Sequence, residues 1–449
     1  DLKVDGDLIN TIPTSGGSLD GVFYSGTGGA IDNVTVVNMS AEEASDSSKK
    51  MGNAIYIAGF AETETVEVKN CDVSNYFKGG ITGNYGALTA NFHNNTVTGR
   101  GLESSASQNG IQIAFGATGT IKDNTVTASS TSTKWSATGI LVYQSSATVE
   151  GNNLSGCEEG IGFNGGWDSY GIPGPFTITI KGNIIDSSSA ELGEGKAAKG
   201  ISGFLGQNGS AEDDGDLILI IQDNQLTGGD STDYGIKIGD MDGQGGSSKN
   251  ADVDATITGN TISGFDEGII FPQAADVGST IAATITGNTI QNSTVDGILF
   301  GDTTEGVDFD VANITVNFNN IIGSTTYGVN NAGTGTLDAT NNWWGDASGP
   351  EDTTGTNEVP PCTDNPTTEI NIDGLGDQVS DNVDYCPWLG AEVAPSPTPP
   401  APTPAPSGGP VGGEVYPVSK AGVLAPWIGL ALVLLIGGGI LVWRRPTTH

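Results

Sequence analysis

The chain has 449 residues and a formal net charge of −37, with 53 acidic residues against 16 basic ones. Phosphate groups are repelled by such a surface, which excludes nucleic acid as an expected partner and favours divalent cations and cationic partners. The 69 glycines, with abundant Asn, Ser and Thr, favour turns and β-structure over helices.

A phrase of the form apolar-Thr-Gly-Asn-x-apolar recurs along the first 350 residues. It reads ITGNTI at 257–262 and again at 285–290, with degenerate copies such as IKDNTV at 121–126 and VEGNNL at 149–154. The shared asparagines are Asn38, Asn70, Asn95, Asn124, Asn152, Asn183, Asn224, Asn260, Asn288, Asn319 and Asn341. A repeat of this length is typical of a solenoid, in which stacked repeats bury one continuous core.

A second phrase, glycine followed by an apolar run, alternates with the first. Examples are GIQIAF from 110, GILVY from 139 and GIKI from 235. Short strands with alternating apolar residues therefore flank a tight turn, where asparagine tolerates the left-handed backbone conformation. The two phrases predict a parallel β-helix of about eleven coils over residues 1–350. The asparagines should form a hydrogen-bonded ladder, as amides do in other stacked sheets.

The phrase NNWWGDASGP at 341–350 is similar to one that often closes the helix in β-helix proteins of prokaryotic cell surfaces. With the two repeat phrases, the chain from about residue 25 to 350 resembles these proteins, which are related in fold to pectate lyases and NosD-like proteins. The resemblance implies a right-handed, single-stranded parallel β-helix and no particular activity. Trp343 and Trp344 are apolar plates suited to cover the open end of the core.

Three acidic, glycine-rich insertions follow the glycine phrase, at 203–216, 239–254 and 301–310. Because they occupy the same place in the repeat, we expect them to leave the rod on one side. Insertions of this kind often form a binding face, although surface length is also tolerated without function.

Calcium is the one cofactor that these insertions suggest, since Ca²⁺ binds carboxylate and carbonyl oxygens. Asp240 and Asp242 beside a glycine form the first candidate metal site. Further candidate clusters are Asp213, Asp214 and Asp216, and Asp308 with Asp310. None has the full spacing of an EF-hand.

Catalytic motifs are scarce. The two histidines, His93 and His449, argue against a histidine metal site or a Ser-His-Asp triad. Arg100 is the one arginine before the C-terminal tail, and the GHG and RIK motifs of β-helix polygalacturonases and lyases are absent from the sequence. A hydrolase needs two carboxylates about 5–9.5 Å apart, and a pair such as Asp302 and Asp308 is expected by chance in so acidic a chain.

The cysteines predict one disulfide. Cys362 and Cys386 flank a Pro- and Asp-rich segment after the last coil, so we expect them to close a cap over residues 351–392. Cys71 and Cys157 are three repeats apart, about 14 Å at the spacing of stacked strands. That distance is too long for a disulfide, so both should be free and buried.

The C-terminal region predicts a membrane anchor. Residues 393–422 are rich in proline and then glycine, which indicates a semi-rigid stalk. Residues 423–443 carry no charge and would span about 30 Å as a helix. Arg444 and Arg445 place the tail 444–449 on the cytoplasmic side and the N-terminus outside. Export requires a signal peptide, so Asp1 is expected to be a processed end or the start of a fragment.

These features lead to three functional hypotheses. The first is an extracellular structural or adhesive protein, anchored to the cell membrane, which binds carbohydrate, a neighbouring surface protein or itself through its acidic loops, with calcium as a candidate ligand. The second is a polysaccharide hydrolase or lyase that uses loop carboxylates. The third is a self-assembling layer or filament subunit, because open sheet edges must be capped or paired.

Overall fold

The computed structural model describes residues 2–6, 20–25, 28–39, 52–59, 63–104, 106–133, 136–165, 172, 174–204, 216–229, 233–239, 252–272, 280–301, 309–353, 357–358 and 369–394. All of them belong to the first of two compact units, Asp1–Pro404, and the second unit is Ala405–His449. No α-helix occurs within the described ranges.

Three long sheets contain almost all of the strands. Sheet A consists of β1 (Leu2–Asp5), β4 (Val34–Val37), β7 (Asp72–Ser74), β10 (Thr96–Glu103), β13 (Thr125–Thr131), β16 (Asn153–Ser155), β19 (Ile184–Asp186), β22 (Gln225–Thr227), β25 (Thr261–Ser263), β28 (Thr289–Gln291) and β31 (Asn320–Ile322). Sheet B consists of β2 (Asp20–Ser25), β5 (Asn53–Ala58), β8 (Gly79–Asn84), β11 (Asn109–Ala114), β14 (Thr138–Tyr143), β17 (Glu159–Asn164), β20 (Lys199–Phe204), β23 (Tyr234–Ile238), β26 (Glu267–Phe271), β29 (Asp296–Phe300) and β32 (Tyr327–Asn331).

Sheet C consists of β3 (Gly29–Asp32), β6 (Glu64–Lys69), β9 (Leu88–His93), β12 (Thr118–Lys122), β15 (Ala147–Glu150), β18 (Phe176–Lys181), β21 (Leu217–Gln222), β24 (Val253–Thr258), β27 (Ile281–Thr286), β30 (Ile314–Asn317), β33 (Leu337–Asp338) and β36 (Val383–Asp384). The short strands β34 (Asn357–Glu358) and β35 (Glu369–Ile370) form a separate pair.

The chain visits sheets A, B and C in turn and then starts the next coil, so each strand pairs in parallel with the strand one coil away. Eleven strands in each of sheets A and B correspond to the eleven predicted coils. Strand alternation turns every second side chain inward, where residues of successive coils stack. The column inside sheet B, for example, is fully buried and consists of Ile55, Ile81, Ile111, Ile140, Ile161, Ile201, Ile236, Ile269, Ile298 and Val329. The structure is therefore a parallel β-helix with one continuous apolar core.

The corner between sheets C and A contains the asparagine ladder. In nine coils one residue with positive φ, such as Asp123 at 53° or Gly259 at 68°, is followed by a buried asparagine. The Nδ2 of each asparagine donates to the Oδ1 of the next, and that Oδ1 also accepts from the backbone N–H of the first; for Asn124 and Asn152 both distances are 2.9 Å. The ladder consists of Asn95, Asn124, Asn152, Asn183, Asn224, Asn260, Asn288, Asn319 and Asn342.

Three of the asparagines proposed from the sequence lie elsewhere. Asn341 and Asn70 occupy the preceding left-handed position, with φ of 58° and 53°. Asn342 therefore ends the ladder, and Cys71 begins it by donating its backbone N–H to Asn95 Oδ1 at 3.0 Å. Asn38 follows β4 at the corner between sheets A and B, where it hydrogen-bonds Asp5 and Asn75. An Asn-Asn pair, or an asparagine in a degenerate repeat, does not reveal its register from the sequence alone.

The second residue of the sheet B strands, which is glycine in every strand except β5, where it is Ala54, packs closely against the next coil. A Cβ on Gly235 would lie 2.4 Å from the carbonyl oxygen of Gly268 and 2.6 Å from a methyl group of Ile262. Glycine recurs here because a side chain at Gly235 would push the adjacent coils apart, which would weaken both the sheet pairing and the core packing.

The C-terminal end of the core is covered by the segment after β33. Trp344 is fully buried against the last coil, while Trp343 remains partly exposed. Val379 and Val383 add a further partial turn beyond β32 and β33, and Asp377 accepts hydrogen bonds from the backbone N–H groups of Gly323 and Ser324, both at 2.7 Å. The phrase at 341–350 thus contributes Trp344 to the cover of the core, and residues 376–388 form the rest of it.

Nothing in the described part of the chain is a helix long and apolar enough to cross a membrane. The predicted stalk 393–422, apart from Val393 and Ala394, the predicted span 423–443 and the tail 444–449 lie outside the described residues.

Replacing Asn260 by Leu should lower the free energy of unfolding by roughly 1–3 kcal/mol, because the change leaves buried hydrogen-bonding groups without partners. Asn260 Nδ2 donates to Ile221 O, Thr258 O and Asn288 Oδ1, and its Oδ1 accepts from Asn224. Urea unfolding of the variant measures the change. Asn91→Leu, on the outer surface of sheet C, is the control and should have little effect; equal losses in the two variants would contradict a special role for the ladder.

Candidate functional site

The outer face of sheet B presents two different sets of side chains. The third and fifth residues of the sheet B strands, such as Ile111 and Ile113, are buried in the core, and the first and fourth, such as Asn109 and Gln112, lie together on the other face. In the first five coils the side chains on and beside this face are mainly aromatic rings and amides, and in the following five coils they are mainly ionisable. We call the first set the aromatic strip and the second set the ionisable row.

The aromatic strip is a series of rings in five consecutive coils. Phe23 stacks on Tyr56 with a centroid separation of 5.9 Å, Tyr85 stacks on Phe115 at 5.7 Å, and Tyr143 meets Phe115 edge-on at 5.4 Å. A hydrogen bond between Tyr56 and Tyr85 joins the two groups. Phe23 is 56% exposed, and the other four rings are partly exposed. The strip therefore runs along the rod axis with one ring per coil.

Side-chain amides form a hydrogen-bonded chain beside the strip. Asn109 Nδ2 donates to Gln112 Oε1 at 2.8 Å, and Gln112 Nε2 donates to Asn84 Oδ1 at 3.0 Å. Asn84 Nδ2 then donates to the Tyr56 hydroxyl at 3.3 Å. Burial raises the pKa of Tyr56 to about 12, so this hydroxyl remains a neutral donor at physiological pH. The chain fixes the orientation of polar groups next to the rings.

Rings with adjacent amides suit a ligand that has apolar faces and many hydroxyl groups. An aromatic face packs against apolar C–H surfaces, and amide groups both donate and accept hydrogen bonds at hydroxyls. Carbohydrate has both properties in every sugar unit. Asp20 is the one charged side chain at the first and fourth positions of these five strands, so these positions offer no positive charge to an anionic ligand.

The ionisable row continues along the first position of the later strands. Glu159, Lys199 and Tyr234 are paired in register, Tyr234 is paired with Glu267, and Asp296 occupies the same position one coil further. Lys237 is 6% exposed and its ammonium lies 4.7 Å from the centroid of the Tyr234 ring.

Glu267 is the most perturbed carboxyl of this row. Burial, followed by the nearby charges of Asp266 and Asp296, raises its pKa from 4.5 to about 7, against a smaller opposing effect of Lys237. Desolvation and neighbouring negative charge both disfavour the ionised form. Glu267 therefore titrates near neutral pH and could exchange a proton with a ligand on this face.

Asp296 is engaged in the structure rather than presented to solvent. It is 3% exposed, and its two oxygens accept hydrogen bonds from the Tyr327 N–H at 3.1 Å and from Asn330 Nδ2 at 2.8 Å. Burial raises the pKa of this carboxyl despite those donors. A reacting substrate would have little access to its oxygens, so the pair Glu267 and Asp296 does not present two open carboxylates.

All three acidic insertions connect a strand of sheet B to the next strand of sheet C: β20 to β21, β23 to β24, and β29 to β30. Their attachment points therefore lie along one corner of the helix. Most of each insertion lies outside the described residues, including Asp213, Asp214, Asp240, Asp242, Asp302 and Asp308. Among the acidic residues that are described, no group of three or more could hold a metal ion.

Four acids of the insertions lie within the described residues, Asp216, Asp252, Asp254 and Asp310, and three of them, Asp216, Asp252 and Asp310, accept local backbone hydrogen bonds. Asp216 Oδ1 accepts from the Asp252 N–H at 3.1 Å, and Asp310 Oδ1 accepts from the Ala312 N–H at 3.0 Å. These contacts fix the ends of the loops where they join sheet C.

The cysteines are placed as follows. Cys71 and Cys157 are free and buried, as predicted, and burial raises the pKa of Cys157 to about 11. Cys386 is disulfide-bonded and 8% exposed. Cys362, its predicted partner, lies outside the described residues.

The three parallel sheets and the continuous ladder define the chain as a parallel β-helix repeat protein. Among solved structures it is similar to a mutant of the periplasmic alginate epimerase AlgG, with 13% sequence identity, a TM-score of 0.44 and coverage of 74% of this chain and 73% of that chain. No family model matches the sequence, and no curated protein matches it.

The sequence analysis did not predict the aromatic strip or the ionisable row, although both correspond to fixed positions of the repeat. The residue immediately before the glycine phrase supplies the ionisable row, as in Glu267-Gly268 and Asp296-Gly297. Aromatic residues at the end of that phrase supply most of the strip, at Tyr85, Phe115 and Tyr143. Comparing equivalent positions across the repeats, rather than the repeated residues themselves, would have shown both.

Glu267 should make the stability of the protein fall as the pH rises. A pKa raised to about 7 in the folded state means that, between the unfolded and folded pKa values, the folded state binds more protons than the unfolded state. The free energy of unfolding then decreases with increasing pH. Urea unfolding at several pH values between about 5 and 8 should show a smaller decrease for Glu267→Gln than for the wild type.

Glu67→Gln is the control for this series. The hydrogen bond and charge of Lys69 lower the pKa of Glu67, so its stabilising effect is already complete above pH 5. This variant should keep the wild-type decrease, and an unchanged decrease in Glu267→Gln would contradict the assignment.

Proposed function

We propose that this chain is a surface-displayed β-helix protein that binds neutral carbohydrate along the aromatic strip. The observation that supports the proposal is the run of partly exposed rings in five consecutive coils, bordered by the amide chain from Asn109 to Tyr56. Rings at isolated positions would be ordinary, whereas a run along the axis offers several equivalent contacts to a polymer.

A linear glycan fits this arrangement when it lies parallel to the rod axis. Successive rings of the strip are 5.4–5.9 Å apart where they contact one another, which is comparable to the length of one sugar unit. The exposed parts of the rings would pack against C–H groups of the sugars, and the partly exposed amide of Gln112 would hydrogen-bond hydroxyls beside them. Several weak contacts then add up along one chain.

The charge of the protein favours neutral glycans over polyanionic ones. With a net charge of −37, the surface repels polymers of uronic acids or sulfated sugars unless cations intervene. This property separates the proposed ligand from the substrates of β-helix lyases.

Extracellular display is the second part of the proposal. The disulfide bond of Cys386 supports folding in an oxidising compartment, and the composition of residues 393–443 supports a stalk followed by a transmembrane anchor. In this arrangement the N-terminal β-helix is held outside the cell and residues 444–449 lie inside. Neighbouring surface proteins remain alternative partners, and hydrolysis by loop carboxylates remains the alternative activity.

Phe115→Ala should weaken glycan binding by about tenfold, equivalent to about 1.4 kcal/mol, because it removes the ring that contacts both Tyr85 and Tyr143. A glycan array followed by calorimetry with the best neutral ligand measures the effect on the full chain in mild detergent. Phe318→Ala is a matched control, since Phe318 is an exposed ring with the same φ of 58° at a different corner of the helix.

Equal affinities of the two variants would contradict binding at the strip. If the wild type bound only anionic glycans on the array, the proposal of a neutral ligand would be wrong. Hydrolysis of a bound glycan during the measurement would favour the enzymatic alternative.

We also propose that the acidic insertions bind calcium, with Asp240 and Asp242 as ligands. A ligand that binds only the folded state stabilises it by RT ln(1 + [L]/Kd), about 2.7 kcal/mol at one hundred times Kd. Calcium should therefore raise the melting temperature more than sodium chloride of equal ionic strength. The double variant Asp240→Asn, Asp242→Asn should lose part of that difference, and identical responses to the two salts would leave only charge screening.

A further inference from the structure

The outer face of sheet C is a broad surface rich in threonine. Nine successive strands, β6, β9, β12, β15, β18, β21, β24, β27 and β30, point alternate side chains outward. Twelve of the twenty-five outward side chains are Thr65, Thr89, Thr118, Thr120, Thr148, Thr177, Thr179, Thr256, Thr258, Thr284, Thr286 and Thr315. We call this surface the threonine face.

The threonine face carries no net charge, in contrast to the chain as a whole. Its charged residues are three acids and three lysines, Glu67, Glu150, Asp254, Lys69, Lys122 and Lys181. Lys69 contacts Glu67 at 2.8 Å, and Lys122 and Lys181 lie 3.7 and 3.6 Å from Glu150. Most of the charge is therefore neutralised within the face itself, whereas the protein carries a net charge of −37.

Two isoleucines lie near the middle of this face. Ile218 and Ile220 occupy outward positions of β21, the sixth of the nine strands, and Ile218 is 42% exposed. Threonine adds a methyl group at each of its positions, so the surface around the isoleucines is partly apolar. Outward apolar side chains on an otherwise polar and acidic protein are a feature of interaction sites.

The size of the threonine face suits a protein interface. Nine strands about 4.8 Å apart, each presenting about five residues at about 3.3 Å, cover about 700 Å². A standard interface buries about 800 Å² on each partner. The equivalent surface of sheet A is narrower, because its strands from β16 to β31 have three residues each.

We propose that a second copy of this chain packs face to face on the threonine face. Two molecules with a net charge of −37 repel each other wherever their acidic surfaces meet, and a neutral surface allows close approach at the least electrostatic cost. A two-fold axis near Ile220 would bring the isoleucines of the two copies together, as in an isologous dimer. The two sheets would pack about 10 Å apart, like the layers of a β-sandwich.

The aromatic strip lies beside the threonine face and not on it, because Phe23, Tyr56 and Tyr143 lie in strands of sheet B, and Tyr85 and Phe115 follow such strands at the corner towards sheet C. A dimer would present two strips to the same glycan, which increases the apparent affinity without any new contact. The proposal does not depend on glycan binding, since it concerns a different sheet and a different partner.

Sedimentation equilibrium of the full chain in mild detergent tests the proposal, with the detergent density-matched. The wild type should dimerise reversibly as its concentration rises. Ile220→Glu should weaken the dimer by at least about tenfold, because it places two like charges in a desolvated interface. Ile184→Glu is the matched control: Ile184 is a partly exposed isoleucine in the outer position of β19 in sheet A, and this variant should dimerise like the wild type.

Thr284→Glu, at an exposed position of the same face, is a second test variant and should act like Ile220→Glu. A wild type that remains monomeric at roughly 100 μM would overturn the proposal. A dimer that persists in both Ile220→Glu and Thr284→Glu would also overturn it, because the contact would then lie elsewhere, for instance in the predicted membrane segment. Loss of the dimer in Ile184→Glu as well would show a general effect of added charge and would equally reject the threonine face.

Discussion

The hydrogen-bonded ladder of buried asparagines is the interaction on which the rest of the structure depends. Nine amides from Asn95 to Asn342 bind one another and the surrounding backbone at the corner between sheets C and A. A tight turn in a buried place leaves backbone groups that water cannot reach, and each would cost free energy if left unpaired. The amide of the next coil satisfies them. The turn of one coil is therefore stable only when the neighbouring coil is present, which couples the coils into a single rod.

This coupling explains why the three sheets can differ so strongly in their outer faces. The core and the corner already determine the register, so outward positions are free to vary without loss of the fold. The outward positions of sheet B contain aromatic rings, amides and the ionisable row, and those of sheet C contain threonine and paired charges. Stacking at about 4.8 Å then converts a single position of the repeat into a line of similar groups along the rod. A line of this kind suits extended partners, either a polymer or another rod.

Charge is distributed unevenly between the faces of the sheets and the insertions that leave the helix. The described faces of the sheets carry few unpaired charges, whereas the three insertions at the corner between sheets B and C are acidic. The burial of Glu267 and Asp296 on sheet B is an exception, and its effect is to bring a carboxyl titration close to neutral pH. Proposed contacts with glycan and with a second copy both use neutral surface, which keeps them compatible with a highly acidic protein.

The sequence by itself determined the class of fold, the number of coils and most of the ladder, because these features depend on local rules that repeat. Glycine before an apolar run and asparagine after a left-handed residue produce the same local structure in most coils, so eight of the eleven proposed asparagines lie in one column. The exceptions, Asn38, Asn70 and Asn341, occur where a neighbouring asparagine or a degenerate repeat obscured the register. The buried, free state of Cys71 and Cys157 also followed from the spacing of coils alone.

Only the tertiary structure decided which side chains share a surface. The rings of the strip are about 30 residues apart in the chain, and the residues of the threonine face range over 250 positions. The repeats differ in length because of insertions, so a constant spacing cannot identify equivalent outward positions. Their alignment depends on the pairing register of adjacent strands, which is a property of the folded stack. The perturbed pKa of Glu267 likewise depends on burial and on charges from neighbouring coils, neither of which a single repeat contains.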